Sequence, residues 1–149
     1  MIRASGSVTV RRSAEEAFDF VADLRNEPQF NPDASNIVQT TSGAIGLGTV
    51  FEEDVKPLGH FVVTIDEYER PTRLGFDARN AKAHIPVRFR FSPESDSTRI
   101  DVEVEVHLQG AMRVLEPVLR PVVRRTFERK RGPMLKRALE RDSSAGPPK

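Results

Sequence analysis

The sequence contains no cysteine and no tryptophan, and it has a single tyrosine among its 149 residues. Without cysteine the chain forms no disulfide bond, thiolate zinc site or iron–sulfur cluster, and it has no cysteine nucleophile. No stretch approaches the ~18 consecutive apolar residues of a membrane-spanning helix. The first residues also lack the apolar core of a signal peptide. These absences predict a soluble cytoplasmic protein.

What the sequence does contain is sufficient for one folded domain. Hydrophobic residues make up 38% and charged residues 30%, and there are nine phenylalanines. The net charge is only +1, but residues 1–110 hold 12 Lys/Arg against 18 Asp/Glu, whereas residues 111–149 hold 11 against 4. The basic charge is therefore concentrated in the C-terminal quarter. We expect a single domain over residues 1–141 and a disordered tail over residues 142–149.

The hydrophobic periodicity defines an order of strands and helices. Alternation predicts a strand over residues 3–10, and a capping box formed by Ser13 and Glu16 predicts the start of a helix. A second short helix follows, and six stretches between residues 36 and 108 then alternate as strands do. Helical spacing returns at Met112–Glu140. The chain therefore reads as strand, two short helices, six strands and one long helix.

Hairpin-length connections make the six strands antiparallel. In the last hairpin, with an expected loop over residues 92–98, pairing Phe91 with Ile100 and Phe89 with Val102 places the apolar residues on one face. The long C-terminal helix is the only element large enough to cover that face. The sequence thus predicts an α+β, helix-grip architecture. A curved antiparallel sheet of about seven strands wraps around the long C-terminal helix.

Large apolar side chains are expected on the inner face of this sheet and on the facing helix. They either fill a plain core or line a pocket for an apolar ligand of some ~300–1,000 Å³. The candidate ligand-binding residues are Phe30, Phe51, Phe61, Val63, Phe76, Phe89, Met112, Leu115 and Leu119.

Two glutamates are candidate catalytic groups. Glu53 shares one face of its strand with Phe51, and pairing Ile65 with Phe76 places Glu67 opposite Leu74, again on the inner face. A carboxyl group in an apolar chamber has a raised pKa and can act as a general acid or base. The alternative is that a bulge reverses either residue, or that both lie hydrated at the rim.

Other polar groups point to simpler roles. The same register places His84 opposite His107 on the outer face, but no third ligand is visible beyond Glu105, so no metal site is predicted. The glycine-rich stretch at residues 43–48 lacks the lysine of a phosphate-binding loop. No cofactor is expected.

A basic run in the C-terminal helix is either a solvated helix face or a contact with an anionic membrane or anionic ligand groups. No aromatic stacking residues accompany it, so nucleic acid is not an expected partner. Its members are Arg124, Arg125, Arg129, Lys130 and Arg131.

Several short segments follow one another in a familiar order: Ser7–Val10 with Ser13–Phe18, Phe30–Pro32, Gly48–Phe51, Tyr68–Leu74 and Leu135–Glu140. Together with the order of elements, these segments resemble the polyketide cyclase/dehydrase and lipid-transport family of the START and birch-pollen-allergen-like (SRPBCC) superfamily. The resemblance covers about residues 3–141, and the usual strand tryptophan of the family is replaced by Phe51.

This resemblance implies a helix-grip fold with a deep apolar cavity between the sheet and the long helix. Members bind lipids, polyketides, hormones or quinones, and some are cyclases. No catalytic motif of the family matches this sequence. We therefore expect binding or transport of a small hydrophobic ligand. The alternative is a cyclase or dehydratase that uses Glu53 or Glu67 as a general acid or base.

Overall fold

The computed structural model describes the backbone of residues 1–145 and the side chains of residues 1–141. Seven antiparallel strands form one sheet in the order β1-β7-β6-β5-β4-β3-β2. The strands are β1 (Ile2–Val10), β2 (Ala34–Gln39), β3 (Val50–Val55), β4 (Gly59–Glu69), β5 (Arg73–Arg79), β6 (Ala83–Glu94) and β7 (Ser97–Leu108). The helices are α1 (Ala14–Ala22), a 3₁₀ helix (Leu24–Gln29), a 3₁₀ helix (Gly110–Leu115), α2 (Glu116–Arg125), a π-helical turn (Thr126–Lys130) and α3 (Arg131–Ala145).

The predicted α+β helix-grip architecture is confirmed, including the two short helices after the first strand. The expected disordered tail began at residue 142. The structure continues α3 to Ala145, and residues 146–149 lie outside the described residues. No helix within the described chain is both long and apolar enough to cross a membrane.

The start of α1 is formed by the predicted capping box. The Ser13 hydroxyl oxygen accepts a hydrogen bond from the Glu16 backbone N–H at 3.1 Å, and the Glu16 carboxylate accepts one from the Ser13 N–H at 3.1 Å. Both bonds satisfy donors that a helix N-terminus otherwise leaves unpaired. The helix then buries Phe18 and Val21 in the core. Local sequence is thus sufficient to fix where this helix begins.

The register of the last hairpin is also confirmed, because Phe91 pairs with Ile100 and Phe89 with Val102. The expected loop over residues 92–98 is wrong. The ladder continues through Pro93 with Thr98 to the last pair, Glu94 with Ser97, so only two residues turn. The buried Thr98 hydroxyl donates a hydrogen bond to the Arg12 carbonyl at 2.8 Å, which ties the end of the hairpin to the end of β1.

The two halves of the C-terminal helical run pack differently. In α3, the side chains of Leu135, Ala138 and Leu139 are buried in the core. In α2 no side chain is buried. At the junction the helix passes so close to β1 that a Cβ atom on Gly6 would lie 2.4 Å from the Phe127 carbonyl oxygen. Since α3 buries side chains against the sheet and α2 packs on it only loosely, a space remains between α2 and the inner face.

Candidate functional site

A cavity of about 230 Å³ lies between the inner face of the sheet, the short helices and α2. Its wall is largely apolar, with polar groups gathered at one end. The predicted ligand-binding residues that line it are Phe30, Phe61, Val63, Phe76, Phe89 and Leu119. Further walls come from strand residues such as Val87 and Val104, and from Val123 and Phe127 in the helical run.

Three other predicted residues do not border this cavity. Phe51 is completely buried and belongs to the core cluster, so the core-filling alternative applies to it. Met112 packs at the margin of the core, and Leu115 is 40% exposed. Both precede α2 in a 3₁₀ helix, whose three-residue turn changes the direction of side chains relative to the α-helical spacing assumed from the sequence.

The inward placement expected for Glu67 is wrong because the β4–β5 register shifts between Ile65 and Glu67. The bulge pairs Glu67 with Gly75 and Tyr68 with Leu74. Tyr68 then packs its ring edge-to-face on Phe18, with the ring centroids 5.1 Å apart. The Glu67 carboxylate lies 3.8 Å from the Arg88 guanidinium, away from the cavity.

Glu53 lies on β3 with its side chain inward, as predicted, and borders the cavity at 5% exposure. Its carboxyl group meets that of Glu27, which comes from the 3₁₀ helix after α1. The second oxygen of Glu27, Oε2, accepts a hydrogen bond from Asn31 Nδ2 at 2.7 Å. The sequence offered no periodicity that would have indicated Glu27, because it lies in a six-residue 3₁₀ helix next to Pro28.

Burial, the neighbouring Glu27 and, least of all, the charge of Asp54 raise the pKa of Glu53. Burial removes water from the carboxylate, and the nearby Glu27 adds a like charge and a hydrogen bond to the protonated form. Arg131 opposes them with a smaller effect. Glu53 is therefore a neutral carboxylic acid at neutral pH, a form that can donate a hydrogen bond or a proton.

Arg131 lies at the same end of the cavity and not on the helix surface, where it was expected. Burial lowers the pKa of Arg131, although the acidic groups of Glu27, Asp33 and, least, Glu53 favour its charged form. Its guanidinium carbon lies 4.7 Å from the centroid of the Phe127 ring. The sequence did contain a signal for this placement, because Leu119, Val123, Phe127 and Arg131 follow one another at four-residue intervals.

The rest of the basic run is exposed, and an exposed apolar stripe lies on the same helical segment. The stripe consists of Val114, Val118 and Val122, which are 77%, 65% and 57% exposed and also recur every four residues. Val122 borders the cavity as well. The exposed basic residues are Arg124, Arg125, Arg129 and Lys130.

His84 and His107 face each other as the register predicts, with ring centroids 5.6 Å apart. His84 contacts Asp77 at 2.6 Å, and His107 contacts Glu105 at 3.0 Å. Among residues 1–141, no three His, Asp or Glu side chains converge to hold a metal ion.

The raised pKa of Glu53 has a consequence for stability. The ordinary pKa is 4.5, so above that pH the unfolded chain releases a proton that the folded protein keeps. We expect the free energy of unfolding to fall as pH rises above 4.5, by up to about 1.4 kcal/mol per pH unit. In Glu53→Gln the side chain is neutral at every pH, and this slope should shrink.

Urea unfolding of the wild type and Glu53→Gln between about pH 5 and pH 8 measures the slope. Glu67→Gln, on the other face of the sheet, is the matched control and should keep the wild-type slope. Equal slopes in wild type and Glu53→Gln would show that Glu53 is ionised in the folded protein.

The sequence and the fold are similar to those of known proteins. The model of the polyketide cyclase / dehydrase and lipid transport family matches residues 1–145. No curated protein matches the sequence significantly. A START superfamily protein from Mycobacterium smegmatis is similar in structure, with a TM-score of 0.73 and 21% identity over 96% of this chain and 97% of that one.

Two further solved structures show the same fold. A protein from Thermus thermophilus has a TM-score of 0.74 at 16% identity, covering 97% of this chain and 99% of that chain. The di-domain ARO/CYC protein BexL has a TM-score of 0.67 at 14% identity, and the match covers 99% of this chain but only 48% of BexL. The family match spans nearly the whole chain, and the resemblance found in the sequence is thereby confirmed. This chain belongs to the polyketide cyclase/dehydrase and lipid transport family.

Proposed function

We propose that this protein binds a small hydrophobic molecule in the cavity between the sheet and α2. The observation that carries the proposal is the cavity itself, an apolar chamber of about 230 Å³ inside an otherwise packed core. A dry apolar cavity of about 150 Å³ is enough to bind benzene. A cavity of this size therefore suits a one- or two-ring molecule, or a short lipid-, polyketide- or quinone-like segment, of roughly ten to fifteen non-hydrogen atoms.

The α2 segment is the natural route of entry. It buries no side chain, and Leu119, Val122 and Val123 form the wall that it contributes to the cavity. A segment with few buried contacts opens at lower free energy than the rest of a domain. Ligand exchange through α2 would leave the packing of α3 on the sheet intact.

Filling the cavity should abolish binding. Val87 is half-buried and faces the cavity, so Val87→Phe places a phenyl ring in the ligand's space. We expect binding of tetralin, a neutral two-ring hydrocarbon, to weaken about tenfold or more, and NMR titration measures it. Val62→Phe on the exposed face of β4 is the control and should bind as the wild type does. Unchanged tetralin binding in Val87→Phe would place the ligand elsewhere.

A second candidate function is acid-catalysed cyclisation or dehydration of a polyketide-like substrate. It is favoured by the neutral carboxyl group of Glu53 beside the cavity, which can protonate a substrate carbonyl oxygen. The structural similarity to an ARO/CYC protein agrees with it.

In that case Glu53→Gln should turn over a short poly-β-ketone about 10²–10⁴-fold more slowly than the wild type does. Mass spectrometry of the products measures the turnover. Tetralin binding should remain within error of the wild type, because Gln keeps the size of the side chain. Glu67→Gln serves as the control with unchanged turnover. Full activity in Glu53→Gln would exclude this carboxyl group as the acid.

An anionic membrane surface is the partner that best fits the outside of the cavity. The stripe of Val114, Val118 and Val122 can enter the interface while the exposed basic residues contact lipid phosphates. We expect binding to phosphatidylserine-containing vesicles and its loss in about 1 M salt, where the screening length is about 3 Å.

Vesicle flotation measures this binding. Val118→Asp should weaken it, whereas Val38→Asp, a similarly exposed valine on β2, should not. Equal binding to vesicles of neutral phosphatidylcholine would contradict an electrostatic contact.

A further inference from the structure

Two buried side-chain oxygens in the described part of the chain have no hydrogen-bond partner, and both belong to the polar end of the cavity. They are Oε1 of Glu27 and Oε1 of Glu53. Two ionised carboxylates cannot satisfy each other, since each can only accept. One proton shared between the two carboxyl groups satisfies both oxygens. The pair then carries a single negative charge.

Arg131 completes this end of the cavity with unused donors. A guanidinium has five N–H donors and no acceptor. The Phe127 ring covers one face of the group, but no residue among those described accepts a hydrogen bond from it or forms an ion pair with it. Arg131 lines the cavity, so a molecule bound there can supply the acceptor.

The charges around this end decide which acceptor fits. The Glu27–Glu53 pair contributes one negative charge and Arg131 one positive charge, while Asp33 and Lys56 at the exposed rim contribute one charge of each sign. A bound carboxylate would add a negative charge that no further positive charge balances, in a poorly hydrated site where its repulsion by the carboxyl pair is strong. A neutral carbonyl oxygen supplies the acceptor without that repulsion.

We propose that Glu27, Glu53 and Arg131 form a headgroup site that accepts a neutral carbonyl oxygen and rejects a carboxylate. Arg131 donates the hydrogen bond, and the carboxyl pair already balances its positive charge. The ligand is then a small apolar ketone, quinone or ester, and not a free fatty acid. This inference rests on the proposed binding of an apolar ligand in the same cavity.

Three probes with the same two-ring body separate the headgroup from the body: tetralin, 1-tetralone and tetralin-1-carboxylate. At pH 7 we expect 1-tetralone to bind the wild type about tenfold more tightly than tetralin, and the carboxylate to bind about tenfold more weakly than 1-tetralone. NMR titration under identical conditions gives the three dissociation constants.

Two variants test the assigned residues. Arg131→Met keeps the apolar stem and removes the donors, so the preference for 1-tetralone over tetralin should disappear while tetralin binding remains. Arg129→Met, an exposed neighbour on the helical run, is the matched control and should keep the preference. If Arg131→Met does not fold, Glu53→Leu replaces it. Without Glu53 the Glu27 carboxyl group is free to pair with Arg131 and occupy its donors, which should also remove the preference.

The outcomes distinguish this inference from the proposed function. Equal binding of tetralin and 1-tetralone, or tightest binding of the carboxylate, would overturn the headgroup site and leave the apolar cavity in place. A preference that survives in Arg131→Met or in Glu53→Leu would overturn the assignment to these residues. No binding of any of the three probes would overturn the proposed function itself.

Discussion

The apolar face of the seven-stranded sheet is covered by one helical run, and only half of that run packs tightly on it. The core buries Leu135, Ala138 and Leu139 of α3. Because Gly6 has no side chain, the π-helical turn can approach β1 closely at Phe127. Beyond that point no side chain of α2 is fully buried. Close packing of α3 at one end of the sheet thus leaves a gap beneath α2 at the other, and this gap is the cavity.

The polar end of the cavity depends on the same difference in packing between α3 and α2. Arg131 is the first residue of α3, so it is held where the tightly packed helix begins. Glu53 and Glu27 reach the same place from β3 and from the short helix after α1. Three separate parts of the chain thus bring two carboxyl groups and one guanidinium into a poorly hydrated space. In such a space charges are costly unless paired, and a shared proton is the least costly arrangement of two adjacent carboxyl groups.

A ligand carrier and a cyclase would use this arrangement in different ways. A carrier requires only that the cavity wall exclude water and that the polar end match the ligand's headgroup. An enzyme requires in addition that the proton on Glu53 move to the substrate during the reaction. The cavity, the carboxyl pair and Arg131 are common to both, so membership of the family is compatible with either activity. What separates them is whether the proton is transferred or only shared.

Local sequence determined the elements of this protein. Interactions between near neighbours account for the Ser13–Glu16 capping box. Strict period-two register accounts for the pairing of Phe89 and Phe91 and for the inward direction of Glu53. The tertiary structure alone decided the site. A one-residue bulge turned Glu67 outward, full burial made Phe51 a core residue, and Glu27 met Glu53 from 26 residues away in sequence. These outcomes depend on how strands slip and how helices dock over long distances, which no local pattern encodes.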